Sequence, residues 1–329
     1  MGENARTTYL VTGGAGFIGS HLTDALLHRG DKIIILDDLS TGSLANLPSS
    51  GDLQFVRGTI LDASLVDALV RQCDVVVHLA ASVGVKLIME HPLRSLITNI
   101  SGSETVFEAA RRHRKKVLLA STSEIYGKNP DTPLREDDDR ILGSTNVVRW
   151  SYSTSKAVDE ILANAYHREH GLETIVVRLF NTVGPRQSAD YGMVIPRLVR
   201  QALRDEPLTV YGDGTQTRCF AHVSDVVDAI VKLLDHPGAV GQTFNVGSSE
   251  EVTILELAKL IGEMCQGDAG VRMVPYNEAY SSGFEDIMRR VPDTSKLHAL
   301  TGWTPRRALR DILDDTIAAS CGESGVAGR

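Results

Sequence analysis

The stretch that decides the fold is Thr8-Tyr9-Leu10-Val11-Thr12-Gly13-Gly14-Ala15-Gly16-Phe17-Ile18-Gly19. Its apolar run stops at the glycines, and apolar residues then recur at helical spacing over residues 18–29. The glycines form a G-x-G-x-x-G pattern, which permits a tight turn with positive φ and lets a phosphate approach the backbone. The start of the following helix offers unpaired N–H groups and a positive dipole. We therefore predict a strand–turn–helix unit that binds phosphate groups.

Two acidic residues end the next predicted strand, at residues 32–36. Asp37 lies 18 residues after Gly19, where a carboxylate can accept hydrogen bonds from the ribose of a dinucleotide. None of the six residues after Asp38 is Arg or Lys, the residue types that would bind a 2′-phosphate. The pattern therefore favours NAD over NADP as the cofactor.

Strand-like and helix-like stretches alternate through the first half of the chain. Further strands are predicted at residues 53–57, 75–79, 117–120 and 174–179, and helices at 64–71, 93–113 and 153–170. Several of these strands are continuous apolar runs, which is typical of a sheet covered by helices on both faces. The alternation predicts parallel βαβ units, and so an α/β fold with a doubly wound parallel sheet of the Rossmann type.

The length of 329 residues corresponds to about two domains of roughly 150 residues each. We predict a cofactor-binding domain over residues 1–180, with a returning segment at about 218–246. A smaller, partly interleaved α/β domain is predicted over residues 181–320. Its predicted elements are a strand at 242–246 and helices at 195–205, 223–234, 254–264 and 309–319. Residues 321–329 are mostly small and polar, and we predict a flexible tail there.

The chain carries 34 Lys and Arg against 42 Asp and Glu, which gives a net charge of −8. Proteins that follow nucleic-acid phosphates carry basic stripes, so no nucleic-acid partner is expected. The apolar runs are much shorter than a membrane span, and the first eight residues form no apolar signal segment, so no membrane association is expected. The four cysteines are far apart and form no CxxC pair, which predicts free thiols, a cytoplasmic location and no metal site.

A second group of candidate residues combines a tyrosine, a lysine and a hydroxyl-rich strand end. Tyr152 and Lys156 are four residues apart, which places them on the same face of a helix. A tyrosine phenol titrates near pH 10, so a neighbouring cation is needed to lower its pKa toward that of a usable base. Thr122, Ser123 and Glu124 follow a predicted strand and would lie at the ligand-binding edge of the sheet. We predict that Tyr152 is a base assisted by Lys156.

Together these motifs resemble the extended short-chain dehydrogenase/reductase family that acts on nucleotide sugars. The resemblance covers about residues 8–305. Besides the glycine loop, it is carried by His78-Leu79-Ala80-Ala81, residues 121–127, Tyr152 with Lys156, Arg178-Leu179-Phe180-Asn181 with Gly184-Pro185-Arg186, and Tyr211-Gly212-Asp213-Gly214 with Arg218. It implies a Rossmann domain that binds NAD and a smaller domain that binds a nucleoside diphosphate sugar. One departure is Thr59, because relatives often carry an acid there, near the adenine.

The resemblance also assigns residues to the two ligands. The implied cofactor contacts are Gly13, Gly16, Phe17, Ile18, Gly19, Asp37, Asp38, Ser40, Thr41, Gly42, Thr59, Ile60, Leu79, Ala80, Ala81, Asn99, Tyr152, Lys156 and Val183. The implied contacts with the nucleotide sugar are Glu124, Asn181, Arg186, Val194, Arg197, Tyr211, Gln216, Arg218 and Arg290. Arg186, Arg218 and Arg290 suit diphosphate and sugar oxygens because guanidinium groups form bidentate bonds to them. Tyr211 and Gln216 are expected near the base and its ribose.

Members of this family begin by oxidising the sugar at C4, and the 4-ketone can then lead to epimerisation, to loss of water or to loss of carbon dioxide. Dehydratases of the family carry an acid where this chain has Ser123, and 4-epimerases usually lack a glutamate at the position of Glu124. Thr122-Ser123-Glu124 resembles the nucleoside-diphosphate glucuronate decarboxylases. The segment Arg289-Arg290-Val291-Pro292 also resembles them, and Arg290 occupies the position of the arginine that faces the sugar carboxylate.

The resemblance therefore implies decarboxylation of UDP-glucuronate, followed by reduction of the UDP-4-keto-pentose to UDP-xylose or by its release. The implied catalytic residues are Tyr152, Lys156, Thr122, Ser123, Glu124 and Arg290. Thr122 and Ser123 are expected to bond the 4-oxygen, and Glu124 to orient the ring or move a proton. Three alternative functions stay open. They are a UDP-glucose 4-epimerase, a nucleotide-sugar 4,6-dehydratase and, in a different class, an NAD-binding protein without turnover.

Relatives in this family pair through two long helices that form a four-helix bundle. The predicted helices at residues 93–113 and 153–170 carry apolar residues beyond one face, including Ile97 and Ile161. We therefore predict a homodimer, a conclusion that rests mostly on the resemblance.

Overall fold

A computed structural model of the chain describes residues 6–190, 192–267, 269–279 and 285–324. Its strands are β1 (Thr8–Thr12), β2 (Lys32–Asp37), β3 (Leu53–Arg57), β4 (Val75–His78), β5 (Lys116–Thr122), β6 (Thr174–Leu179), β7 (Thr182–Val183), β8 (Leu208–Tyr211), β9 (Thr217–Cys219), β10 (Ala221–His222), β11 (Gln242–Val246), β12 (Glu251–Thr253) and β13 (Val271–Val274).

Its α-helices are α1 (Phe17–His28), α2 (Ala63–Val70), α3 (Val85–Glu90), α4 (Pro92–His113), α5 (Trp150–His170), α6 (Val194–Leu203), α7 (Val223–Asp235), α8 (Ile254–Met264), α9 (Tyr276–Ala279), α10 (Ser295–Thr301) and α11 (Leu309–Ser324). A 3₁₀ turn at Ser123–Tyr126 follows β5. In the part of the chain that the structure describes, no helix combines the length and the apolar character needed to cross a membrane.

The central sheet has seven parallel strands in the order β11-β6-β5-β4-β1-β2-β3. Leu10 of β1 lies beside Ile34 of β2 and Val76 of β4, and all three side chains are buried. The predicted doubly wound Rossmann sheet is confirmed. Because the strand order reverses at β1, a crevice opens beyond the C-terminal ends of β1 and β4, where such sheets bind ligands.

Helices cover both faces of this sheet, as its continuous apolar strands require. On one face, Leu22 of α1 and Ile230 of α7 belong to the same buried cluster as the strands. On the other face, Val66 of α2, Phe107 of α4 and Ala163 of α5 form the corresponding cluster. The helices therefore hold the strand ends rigidly around the crevice.

A smaller core lies outside the central sheet. Leu198 of α6, Val210 of β8, Leu257 of α8 and Ile312 of α11 are completely buried in it. Three two-stranded sheets accompany it, β10 with β7, β12 with β9 and β13 with β8. Strand β11 comes from the C-terminal half but joins the central sheet beside β6. The proposed division into domains near residue 180 stays a prediction.

Four strands, β1, β3, β6 and β11, begin and end as predicted. Two helices extend by three or more residues beyond their predicted bounds. Helix α5 begins at Trp150, three residues before the predicted start at residue 153. Helix α11 continues to Ser324, past the predicted end at residue 319, and so includes residues 321–324 of the predicted tail; the alanines at 318 and 319 favour helix there. The rest of that predicted tail lies outside the described residues.

Candidate active site

A cavity of about 670 Å³ opens at the C-terminal ends of the central strands. Its walls come from the glycine loop after β1, from the ends of β2, β4, β5 and β6, from the start of α5 and from segments near the smaller core. The predicted residues that line it are Gly13, Gly16, Phe17, Ile18, Gly19, Asp37, Asp38, Ser40, Thr41, Thr59, Ile60, Leu79, Ala80, Ala81, Thr122, Ser123, Glu124, Tyr152, Lys156, Asn181, Val183, Arg186, Val194, Arg197, Tyr211, Gln216, Arg218 and Arg290. The tertiary structure therefore brings both predicted ligand sets to one continuous space.

Two predicted cofactor residues, Gly42 and Asn99, lie behind the cavity wall. A Cβ on Gly42 would come within 2.9 Å of the carbonyl carbon of Ala15, so Gly42 permits close packing on the glycine loop. Asn99 is buried, where its side-chain oxygen accepts a hydrogen bond from the Ser82 N–H and its amide donates to Ser155. In this structure both residues support the cavity wall, and their predicted direct contacts with the cofactor stay a prediction.

The glycine loop has the geometry that a dinucleotide phosphate requires. Gly13 has φ +72°, and a Cβ there would lie 2.8 Å from the Ala80 nitrogen. A Cβ on Gly19 would collide with the carbonyl oxygen of Gly13, so the close approach of loop and helix needs glycine at both positions. Within this described segment, α1 begins after Gly16 with no side-chain cap and no acid in its first turn. Its N–H groups and dipole are thus available to an anion.

Asp37 occupies the end of β2, but its carboxylate also holds the glycine loop. It accepts hydrogen bonds from the N–H groups of Ala15 at 3.0 Å and Leu39 at 2.8 Å. Burial raises the pKa of the Asp37 carboxyl group, although these two bonds oppose the shift. Each carboxylate oxygen has a second lone pair, so a ribose hydroxyl can still be bound. Asp38 is exposed at the cavity mouth.

The tyrosine and lysine of the predicted catalytic pair both line the cavity from the first turns of α5. The Lys156 amine donates to Asp159 Oδ2 at 2.7 Å, and both side chains of this pair are buried. Burial raises the pKa of Tyr152, and the charges of Glu124 and Asp159 raise it further, against a lowering hydrogen bond with Thr122. The net shift of the Tyr152 pKa is therefore upward, and a buried acid holds the Lys156 amine, so the assistance of Tyr152 by Lys156 stays a prediction.

Three charged side chains meet in the cavity wall near Tyr152. Glu124 Oε1 lies 3.3 Å from Arg149 Nη2 and 3.4 Å from Arg290 Nη1. Arg290 also donates to the side-chain oxygen of Asn181. Burial would raise the pKa of Glu124, but Arg149, Arg290 and Arg218 outweigh it, so the net shift is downward. Burial lowers the pKa of Arg290 to about 10, with Glu124 opposing the shift, so this arginine stays protonated at neutral pH.

The other predicted arginines are held in place by acidic or aromatic partners. Arg218 donates to Asp286 Oδ1 at 2.8 Å, and Tyr276 donates to the other oxygen of that carboxylate. Arg186 Nη2 lies 2.8 Å from Asp24 Oδ2 of α1. The Arg197 guanidinium lies 4.4 Å from the centre of the Tyr211 ring. These contacts orient the three cations along the cavity wall before any ligand binds.

Sequence reasoning missed Arg149, Asp159 and Asp286. Arg149 lies three residues before Tyr152, so helical spacing would have placed it one turn away if the start of α5 had been predicted correctly. Asp159 lies three residues after Lys156, and the same spacing would have indicated it. Asp286 carries no such local signal, since its partner Arg218 is 68 residues away.

Comparison with known proteins places this site in a chemical context. Residues 9–247 match the NAD dependent epimerase/dehydratase family. The chain is 42% identical over 310 residues to the UDP-N-acetyl-alpha-D-glucosaminuronate decarboxylase of Bacillus cytotoxicus, covering 94% of this chain and 96% of the relative. It is 37% identical to UDP-glucuronic acid decarboxylase 1 of Arabidopsis thaliana, over 94% of this chain and 68% of the relative.

The fold is also that of solved structures. The structure of the UDP-glucose 4-epimerase of Thermotoga maritima with UDP-glucose matches with a TM-score of 0.88 and 29% identity. The match covers 96% of this chain and 99% of the epimerase.

Proposed function

Because this chain belongs to the NAD-dependent epimerase/dehydratase family, we propose that it is an NAD-dependent decarboxylase of a UDP-linked hexuronate, with UDP-glucuronate as the substrate. Relatives whose names state this activity are similar over almost the whole chain. The proposed reaction oxidises the sugar at C4, releases C6 as carbon dioxide and leaves a UDP-4-keto-pentose, which is reduced to UDP-xylose or released.

The observation that carries this proposal is the position of Arg290. Its buried guanidinium lies on Glu124, in the same cavity wall as Tyr152. A permanent cation beside the group that deprotonates the sugar 4-hydroxyl suits a substrate with a carboxylate on the neighbouring carbon. A neutral hexose offers no anionic group to this cation. Dehydratases of the family carry an acid that assists loss of water, and this chain has Ser123 at that position.

The glycine loop, the uncapped first turn of α1 and Asp37 fit NAD, and they would hold its diphosphate on the loop and a ribose on the carboxylate. NAD, when bound, accepts the hydride from C4 of the sugar. Arg186 and Arg218 are suited to the diphosphate of the substrate because both line the cavity as oriented guanidiniums.

Tyr152 removes the proton of the 4-hydroxyl in the proposed mechanism, and Lys156 stabilises the phenolate. Oxidation then makes the uronate a β-keto acid. When its C5–C6 bond breaks, carbon dioxide leaves and the electron pair moves onto C5, C4 and the 4-oxygen. The hydroxyls of Thr122 and Ser123 and the phenol of Tyr152 donate to that oxyanion, which stabilises the charge as it develops. Glu124 orients the ring or relays a proton from water to C5.

A second candidate substrate is UDP-N-acetylglucosaminuronate, which the relative with the higher identity carries in its name. The two sugars differ at C2 and share the 4-hydroxyl and the C6 carboxylate, so the same residues serve both. The relative rates at which the protein decarboxylates the two sugars decide which of them is the substrate.

The decisive assay incubates the protein with NAD and UDP-glucuronate, UDP-N-acetylglucosaminuronate, UDP-glucose or UDP-galactose in separate reactions. Carbon dioxide release and NMR identification of the products are measured together. We expect carbon dioxide and a UDP-pentose or its 4-ketone from a uronate, and no change in the hexoses. Interconversion of UDP-glucose and UDP-galactose would identify an epimerase instead, and a 4-keto-6-deoxy product a dehydratase. Tight NAD binding with no product from any sugar would indicate a binding protein.

Replacing Asp159 with asparagine is expected to shift the pH dependence of the reaction. The Asp159 charge raises the pKa of Tyr152, so its removal lowers that pKa. Because the base must be deprotonated, the rising limb of kcat/KM moves to lower pH, by about one unit. The pH–rate profiles of the variant and the parent enzyme measure this shift.

The matched control for this prediction is Glu169→Gln, which removes an exposed acid from the last turn of the same helix. Its profile should coincide with that of the parent. A profile of Asp159→Asn that loses amplitude but keeps its midpoint would contradict the prediction, because a structural defect lowers the rate without moving the pKa of the base.

We also propose that two copies of the chain form a homodimer through α4 and α5, as a four-helix bundle. The two helices pack on each other, yet Leu93 is 70% exposed, Ile97 47% and Ile161 62%. Apolar side chains that project from adjacent helices suit a second copy of the same surface. The predicted cytoplasmic location stays a prediction.

Replacing Ile161 with aspartate should raise the dissociation constant of this dimer about tenfold or more, because it places a charge in an apolar interface. Light scattering coupled to size-exclusion chromatography across a dilution series measures the change. Leu44→Asp, at a comparably exposed leucine outside the two helices, is the control and should leave the mass unchanged. A wild-type protein that is monomeric at every concentration would overturn the dimer.

A further inference from the structure

Two arginines share one carboxylate oxygen in the cavity wall near Tyr152. Glu124 Oε1 is 3.3 Å from Arg149 and 3.4 Å from Arg290. Glu124 lies in the 3₁₀ turn after β5, and Arg149 is the residue just before α5. Arg290 lies in a C-terminal segment, 166 residues after Glu124. Three separate parts of the chain therefore bring charged groups to one point in the wall.

In the ion pairs that the described residues form at this point, two guanidinium groups share one carboxylate. Arg149 and Arg290 carry two positive charges, and Glu124 carries one negative charge. The nearby Arg218 is matched by Asp286 at 2.8 Å, and Lys156 by Asp159 at 2.7 Å. Both guanidiniums that share Glu124 are at most 10% exposed, so water screens the additional positive charge weakly. The arrangement is complementary to one more carboxylate.

The arrangement also lies at the correct place for that carboxylate. Arg149 precedes Tyr152 by three residues, which is one turn of helix, and both side chains line the cavity. The charges of Glu124 and Arg290 both act on the pKa of Tyr152, so the group is close to the phenol. In a hexuronate the carboxylate is attached to C5, the neighbour of the C4 that carries the hydroxyl facing Tyr152.

We propose that Arg149 is a second carboxylate-binding residue, which together with Arg290 binds C6 of the sugar and selects hexuronates over neutral hexoses. This inference rests on the proposed function and deepens it. Glu124 occupies the two guanidiniums before substrate binds, and the substrate carboxylate takes over one of these ion pairs. The planar fork of arginine matches a carboxylate with two parallel hydrogen bonds, which lysine cannot reproduce.

The test measures binding in a Tyr152→Phe background with saturating NAD, so that turnover does not interfere. Isothermal titration compares UDP-glucuronate with UDP-glucose, which carries the same nucleotide and lacks the carboxylate. We expect Arg149→Gln to weaken UDP-glucuronate binding by about 10- to 100-fold, and to change UDP-glucose binding by less than about twofold. Arg149→Lys should recover part of the lost affinity. Arg168→Gln, an exposed arginine at the other end of α5, should leave both affinities unchanged.

Two results would overturn the role of Arg149 alone. In the first, Arg149→Gln weakens the binding of UDP-glucuronate and UDP-glucose equally, which indicates a structural role for Arg149. In the second, Arg149→Gln binds UDP-glucuronate as tightly as the background protein does. In both cases the Tyr152→Phe protein still binds UDP-glucuronate more tightly than UDP-glucose, and the wild-type protein still releases carbon dioxide from the uronate. If the background protein binds UDP-glucose as well as UDP-glucuronate and the wild-type protein releases no carbon dioxide, the proposed function fails together with this inference.

Discussion

Replacing Tyr152 with phenylalanine is expected to lower kcat by about 10²- to 10⁴-fold, the range by which general acid–base catalysis accelerates reactions. The substitution removes only the hydroxyl that, in the proposed mechanism, gives the base that deprotonates the sugar. The ring remains, and so do the contacts of α5 with the sheet. NAD binding should therefore be retained, because the glycine loop and Asp37 are untouched.

Two measurements check this prediction, namely the rate of carbon dioxide release under saturating substrate and the affinity for NAD. Tyr166→Phe is the matched control. It removes a hydroxyl from the same helix, where Tyr166 stacks on Phe107 at 5.7 Å between ring centres, and should leave kcat unchanged. A Tyr152→Phe enzyme with nearly full activity would show that another group deprotonates the sugar.

Replacing Glu160 with glutamine is expected to destabilise the fold by about 3–5 kcal/mol, because it leaves a buried cation without its counter-charge. Glu160 is 5% exposed and lies two turns beyond Tyr152 on α5. Its carboxylate accepts from Arg178 Nη2 and Nε at 2.8 and 3.0 Å, and from the Ser121 hydroxyl at 2.5 Å.

The effect is expected to reach the active site, because this network ties its parts together. Arg178 of β6 donates to Tyr126 Oη at 2.8 Å, at the end of the turn that carries Glu124. Ser121 directly precedes Thr122. Glu160 thereby links the strand end and the 3₁₀ turn to the helix that carries Tyr152, and its loss should lower kcat as well as stability.

Urea denaturation followed by circular dichroism measures the free energy of unfolding. The control is Glu108→Gln, which breaks an exposed pair with Arg111 on α4 and should have a far smaller effect, since exposed ion pairs contribute little. An unfolding free energy for Glu160→Gln close to that of the control would mean that water or a rearranged side chain compensates the Arg178 charge.

Much of the fold follows from local patterns in the chain. The strands at Thr8–Thr12 and Thr174–Leu179 are bounded as predicted, because a buried parallel strand needs an uninterrupted apolar run. The glycine loop was predictable for a similar reason, since the turn and its packing on Ala80 exclude any side chain at Gly13. The largest errors lie at the ends of α5 and α11, where the residues tolerate both helix and loop, and β5 also extends beyond its predicted bounds.

The partners of the catalytic groups were not predictable in the same way. Spacing placed Tyr152 and Lys156 on one face of a helix and would also allow the Lys156–Asp159 pair, but it does not say which of the two neighbours the amine contacts. That preference depends on burial, since an amine removed from water takes the nearest carboxylate available. The hydrogen bonds of Asn99 were not predictable either, because its side chain bonds the Ser82 N–H and the Ser155 hydroxyl behind the cavity wall.

The sequence by itself determined the Rossmann sheet, the glycine-rich turn and the helical spacing of the proposed catalytic pair, because each depends on the spacing of residues within one element. Only the tertiary structure decided that Arg149 and Arg290 share Glu124, and that Arg218 is paired with Asp286. These contacts join residues from separate elements, and their energies depend on the distance and burial that packing imposes. The substrate preference proposed here resides in those contacts.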